Sequence, residues 1–179
     1  MHDYKNAINF YIDSLNTFSQ NINSSNIAVY YEIASDFIDI LYKLSFTELK
    51  KNTNLKSHLE SFIERLVEDL KKYDDYILRQ KLSNFKYMYS KVLKNSYLDN
   101  KNEDPNEIYK NLEDSLKLRK EVISKLRDLK YDNLVKIEKE YLSEICLEIG
   151  KFYENIQPQL EYAEKAYLEA YNNNIQNEE

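Results

Sequence analysis

Residues Tyr131 to Ile156 read YDNLVKIEKEYLSEICLEIGKFYENI. Leu134, Ile137, Tyr141, Ile145, Ile149, Phe152 and Ile156 recur at steps of three or four, the period of one helical face. Leu142, Cys146 and Tyr153 widen that stripe. A helix apolar on more than one side needs cover on more than one side. The stretch therefore predicts a long central helix with other helices packed around it.

The rest of the chain agrees with an all-α fold. Its 179 residues include one Gly and two Pro. A sheet protein of this length would spend more of both on turns. Asn, Lys, Tyr and Ile are over-used, as AT-rich coding sequence would produce, so the 17 tyrosines carry no collective meaning. They are suited to half-buried positions with the hydroxyl in water.

Working outward, the spacing predicts seven helices. The first spans Asp3 to Gln20, with Ala7, Ile8, Tyr11, Ile12, Leu15 and Phe18 inward. Asn21 to Asn26 is a polar turn in which Ser24 or Ser25 can cap the next helix. The second runs Ile27 to Phe46, and Thr47 to Asn54 forms a short turn or loop. The third runs Leu55 to Tyr73. Asp74 caps a fourth that reaches Ser96. Tyr97 to Asp104 (YLDNKNED) is the clearest break. Asp104 as N-cap, Pro105 at the first helical position and Glu107 three after the cap open the fifth helix, which runs to Leu129. The sixth is Tyr131 to Ile156. The seventh starts at Gln157 and Pro158 and ends near Asn172, before a frayed polar tail, 173–179. Residues 1–172 are read as one helical domain. Short connections predict consecutive antiparallel pairs.

Net charge is −6. From Tyr131 onward the balance is −7, so the last third suits a basic partner or is simply a solvated acidic surface. An acidic chain is a poor nucleic-acid binder. The lone Cys146 excludes an internal disulfide and fits a small core position. No signal peptide or long apolar run is present, so a cytoplasmic protein without a membrane partner is expected.

Chemistry is sparse. His2 and His58 are the only histidines, and His58 has Glu60 and Glu64 nearby without the further ligands a metal site needs. Glu140, Glu144 and Glu148 repeat every fourth residue but lack the Glu-x-x-His pairs of a metal bundle. They read as a solvated or partner-facing stripe. Lys117, Arg119, Lys120, Lys125 and Arg127 make the fifth helix basic, interspersed with Glu113, Glu121 and Asp128, which favours internal ion pairs. One glycine cannot build a phosphate loop. No catalytic, metal or cofactor residues are assigned.

Gly150, Ile149 and Tyr153, then Ala163, Tyr167 and Ala170, resemble the tetratricopeptide signature. Small residues let two helices approach while aromatics fill the flanking holes. The connection is one residue longer than standard and no closing Pro follows. DYKNAINFYIDSLNTF (3–18) is similar to the second helix of such a repeat, so the chain reads either as a C-terminal piece of a longer solenoid or as one whose first helix pairs forward only, the first being preferred.

The order of features resembles the C-terminal region of the kinesin-binding protein family. It is carried by YSKVLKNSYLDNKNEDPNEIYKNLEDSLKLRKEVISKL (89–126), the central stretch, LEYAEKAYLEAY (160–171) and VYYEIASDFIDILYKL (29–44). The resemblance implies a tetratricopeptide-like α-solenoid without catalysis that binds a kinesin motor domain and keeps it off microtubules, with an association to the cytoskeleton. It makes Tyr97, Asp99 and Asp104 candidate contacts, with Glu103 beside them. Two other readings stay open: a tetratricopeptide-like peptide-binding scaffold of unrelated family, recognised by a concave groove lined with Asn and Lys, and an all-α enzyme.

Overall fold

A computed structural model describes residues 4–19, 27–43, 54–101 and 103–175. Among them the chain is all-helical, with seven helices: α1 (Tyr4–Ser19), α2 (Ile27–Lys43), α3 (Leu55–Lys72), α4 (Tyr76–Asn100), α5 (Pro105–Asp128), α6 (Asp132–Asn155) and α7 (Leu160–Ile175). The expected Ser24 or Ser25 cap, the end of the second helix at Phe46 and the turn from Thr47 lie outside the described residues, as does the tail beyond residue 175. Helix α7 itself runs to Ile175, three residues past the expected end.

Each helix packs on its sequence neighbour from α3 to α7. At the other end α1 packs on α2, and α2 on α4. One continuous core includes Leu15, Phe37, Leu41, Phe62, Phe85, Ile108, Ile145 and Phe152, so it reaches from α1 to α6, and Ala163 and Ala166 extend it into α7. Phe37, Phe62 and Phe85 form an aromatic triad, with centroids 5.8 to 6.3 Å apart, that joins α2, α3 and α4. Each such ring contributes roughly 1.5–3 kcal/mol through burial. A smaller cluster of Val122, Ile123, Leu126, Val135 and Leu142 closes the α5–α6 end.

The α4–α5 crossing is close because serines face each other. The Ser83 hydroxyl donates to the Ser115 carbonyl at 2.9 Å, and the Ser115 hydroxyl donates to the Ser83 carbonyl at 2.8 Å. Both residues are fully buried. Small side chains permit the approach, and each polar atom is satisfied in the dry contact.

Both ends of α4 differ from the sequence reading. Asp75, not Asp74, caps α4, accepting from the Ile77 amide at 3.0 Å. The break expected from Tyr97 begins only at Lys101, because α4 continues through Asn100. Lys101 then takes a left-handed φ of 60° and donates its amide to the Tyr97 carbonyl, ending the helix. Lys130 does the same work after α5 with φ 59°. A chain with one glycine thus ends two helices on lysines in the conformation glycine prefers. Asp104 caps α5 and accepts from the Asn106 amide at 2.9 Å.

The central helix is set differently from its expected register. Val135, Glu138, Leu142, Ser143, Ile145, Cys146, Ile149, Phe152 and Tyr153 are buried. Leu134 and Ile137, read as core, are 44% and 46% exposed. The two phases of the apolar stripe compete in the first half of α6, and packing on α5 selects the one containing Glu138.

Candidate functional site

The buried register of α6 brings Glu138 against Arg119 of α5. Arg119 is fully buried rather than part of a surface stripe. Its Nη1 pairs with Glu138 Oε2, and its Nη2 donates to Asn84 Oδ1 of α4. Gln80 Nε2 donates to the other Glu138 oxygen. A buried pair costs desolvation that only such added hydrogen bonds offset. The guanidinium carbon lies 5.0 Å from the Tyr141 ring centroid, within cation–π range.

Tyr141 links this buried pair to a face built by α2, α4 and α6. Its ring lies 5.8 Å from that of Tyr42 on α2, and Tyr42 stacks at 5.7 Å on Tyr87 of α4. The Lys91 ammonium sits over both, 5.9 Å from the Tyr42 centroid and 5.3 Å from that of Tyr87. Among the described residues no carboxylate lies within ion-pair distance of Lys91. Lys81 donates to the Ser35 hydroxyl of α2 and likewise has no ion pair. Burial lowers the pKa of both lysines, against the raising influence of Asp39 and Glu138 on Lys81 and of Glu148 and Glu144 on Lys91. Burial raises the Tyr42 and Tyr87 phenols, so both stay neutral.

Lys81, Asn84, Lys91 and Asn95 are spaced by three, seven and four residues, which keeps them on one side of α4. Lys81 and Lys91 stand about 15 Å apart along the axis. On α6 the stripe Leu134, Ile137, Tyr141, Glu144 and Glu148 has the same kind of spacing, apolar at one end and acidic at the other. Leu134 and Ile137 leave an apolar pair exposed at the start of that stripe.

The acidic stripe on α6 is uneven. Glu140 and Glu144 are exposed, but Glu148 is buried and pairs with Lys94 and, at 2.8 Å, with Lys151. Burial alone would raise the Glu148 carboxyl; the two ammoniums overcome it and hold it below its usual range. Glu148 is therefore not a solvated residue. On α5, Lys120 pairs with Glu169 at 2.6 Å.

The residues expected at the partner-contacting loop do not share one loop. Tyr97 and Asp99 lie in the last turn of α4. Tyr97 is half-buried beneath the Lys101 ammonium, 4.1 Å from its centroid. Glu103 accepts from Lys56 of α3 at 2.7 Å and is only 13% exposed. Asp104 is occupied as the α5 cap. His58 is half-buried near the start of α3, and no cluster of three or more metal-ligating side chains occurs among the described residues.

Gly150 lies where α6 meets α7. A β-carbon there would stand 2.3 Å from Tyr167 Cε1. Ala163 and Ala170 are buried at the same contact, and Ser143 donates to the Ala170 carbonyl at 2.9 Å. Tyr153 is buried beside Tyr109 and Tyr162, with centroids 5.3 and 5.2 Å away.

Compared with known proteins, the chain matches no family model, no curated protein and no solved structure. Among the described residues no helix is long and apolar enough to cross a membrane.

Proposed function

We propose that the chain is a non-catalytic protein-interaction module that holds a partner segment across the α2–α4–α6 face. The observation that carries this reading is Lys91, a half-buried ammonium laid over Tyr42 and Tyr87 with no carboxylate in ion-pair distance among the described residues. A desolvated, unpaired lysine costs the fold stability, and an incoming acceptor would recover that cost. Lys81, about 15 Å along α4, offers a second half-buried ammonium, hydrogen-bonded to Ser35 and without an ion pair among the described residues.

The arrangement proposed is a tetratricopeptide-like α-solenoid of antiparallel pairs in which α2, α4 and α6 line the concave side. Short connections from α3 to α7 and the packing of each of those helices on the next support it. The partner that the resemblance to the kinesin-binding protein family gives this proposal is a kinesin motor domain, placing the protein in the cytoplasm near microtubules. Co-pelleting with microtubules tests it. Purified motor domain should move from pellet to supernatant as the chain is added, and a motor that stays on the filament at every concentration would end the motor reading.

A second reading, a peptide-binding scaffold of unrelated family, is favoured by Lys81, Asn84, Lys91 and Asn95 sharing one side of α4. It predicts binding of short acidic peptides that shifts Lys91 signals while no motor domain is captured.

A further inference from the structure

Away from that face, α3, α4 and α5 line an open cleft of about 360 Å³. Its floor is Val67 and Leu70 of α3, Leu82 of α4 and Leu118 of α5. Leu82 is buried, and the other three are half-buried. The charged residues at its rim are Lys71, Lys86, Asp114, Lys117 and Glu121. Three of these are already spent: Lys86 pairs with Asp114 at 2.7 Å, and Glu121 pairs with Arg79 at 3.1 Å. Lys71 and Lys117 remain, exposed and without an ion pair among the described residues. An apolar floor between two uncompensated ammoniums, on opposite walls, defines the complement it would take.

We infer that this cleft docks an acidic segment of a partner protein, an aliphatic side chain entering between α3 and α5 with carboxylates on either side meeting Lys71 and Lys117. The aliphatic group removes the leucine floor from water, and the carboxylates supply the missing counter-charge. A protein segment fits better than a polyanion such as nucleic acid or an anionic bilayer. The chain carries a net charge of −6, and the positive excess at the cleft is confined to two residues. The surface is separate from the α2–α4–α6 face, so it stands if that reading falls.

The test is a titration of the full chain, carbon-labelled at leucine methyls, with two blocked pentapeptides: Glu-Glu-Leu-Glu-Glu and Lys-Lys-Leu-Lys-Lys. The acidic peptide should shift the Leu70, Leu82 and Leu118 methyls with saturation, and the basic peptide should not. In a K71E/K117E chain the preference should invert, the basic peptide now shifting those methyls at least fivefold more at equal concentration. Both lysines are exposed, so that variant keeps its fold, which unchanged leucine methyl signals away from the cleft verify. Equal shifts from both peptides, no shifts from either, or a preference that survives the reversal would overturn the assignment. So would the same methyls responding to single-stranded DNA or phosphatidylserine vesicles and not to the acidic peptide.

Discussion

Gly150→Ala tests how α6 and α7 approach. The new β-carbon would stand 2.3, 2.6 and 2.7 Å from Cε1, Cδ1 and Cζ of Tyr167. Ordinary carbon contacts lie near 3.5–4.0 Å, so the ring must retreat by about 1 Å. The ring is half-buried, and its hydroxyl donates to Glu154 at 2.8 Å. Such overpacking costs about 1–3 kcal/mol. Against it, alanine in a helix interior gains about 1 kcal/mol over glycine. The net loss expected is about 0–2 kcal/mol. In a Tyr167→Ala background the obstructing atoms are gone, and the same substitution should stabilise by about 1 kcal/mol. The cycle therefore predicts a coupling of about 1–3 kcal/mol with a change of sign or near-loss of effect between backgrounds. Urea unfolding of the four proteins by far-ultraviolet circular dichroism, with a common slope, measures it. Equal stabilisation by Gly150→Ala in both backgrounds would refute the close approach.

Glu138→Ala leaves Arg119 buried without its counter-charge and should cost about 3–5 kcal/mol, whereas Arg119→Met with Glu138→Leu should recover most of that loss in the same unfolding assay. Stability should also fall from pH 9 toward 12. Burial raises Cys146 from 9.0 to about 12 and Tyr30 from 10.0 to about 12. In that window the unfolded chain has released protons that the folded chain still holds, so each group removes up to about 1.4 kcal/mol per pH unit. Lys81 and Lys91 act oppositely, because their folded pKa values are lowered and stability rises with pH until the unfolded value is passed. The urea midpoint should drop on balance, and Cys146→Ala should delay the onset toward pH 10; a flat profile, or an unmoved onset, contradicts the burial of those groups. Lys91→Met removes an ammonium that burial disfavours and should leave stability unchanged or higher, so a loss above about 1 kcal/mol would show that Lys91 serves the fold instead.

The helical nature of the chain was readable because nothing in it competes: one glycine, two prolines and apolar steps of three and four throughout. The start of α5 was also readable, since Asp104, Pro105 and Glu107 state a cap in local chemistry alone. The register of α6 was not. Leu134, Ile137 and Tyr141 offer one apolar phase and Val135 and Leu142 another, and an apolar count prefers the phase that excludes Glu138. The missing signal lay on α5. Arg119 occupies the core register of Leu112, Ser115, Val122 and Leu126, one charge in an apolar row, as Glu138 does on α6. Two opposite charges, each in the inward row of adjacent helices, announce a buried pair. The end of α4 was hidden for another reason: Tyr97 to Asn100 are polar enough for a loop, and only Lys101 turning left-handed decides where the helix stops. The tyrosine–lysine face depends on contacts between α2, α4 and α6, which no local pattern encodes.

The most direct measurement is a calorimetric titration of a kinesin motor domain into the full chain and into its Lys91→Met and Lys81→Met variants. A partner held across the α2–α4–α6 face predicts saturable binding to the natural chain and at least tenfold weaker binding to both variants, with melting temperatures no lower than the parent's. Saturable heat that neither substitution changes would remove the face from the interaction, and no heat from any motor domain tried would contradict the motor as its partner.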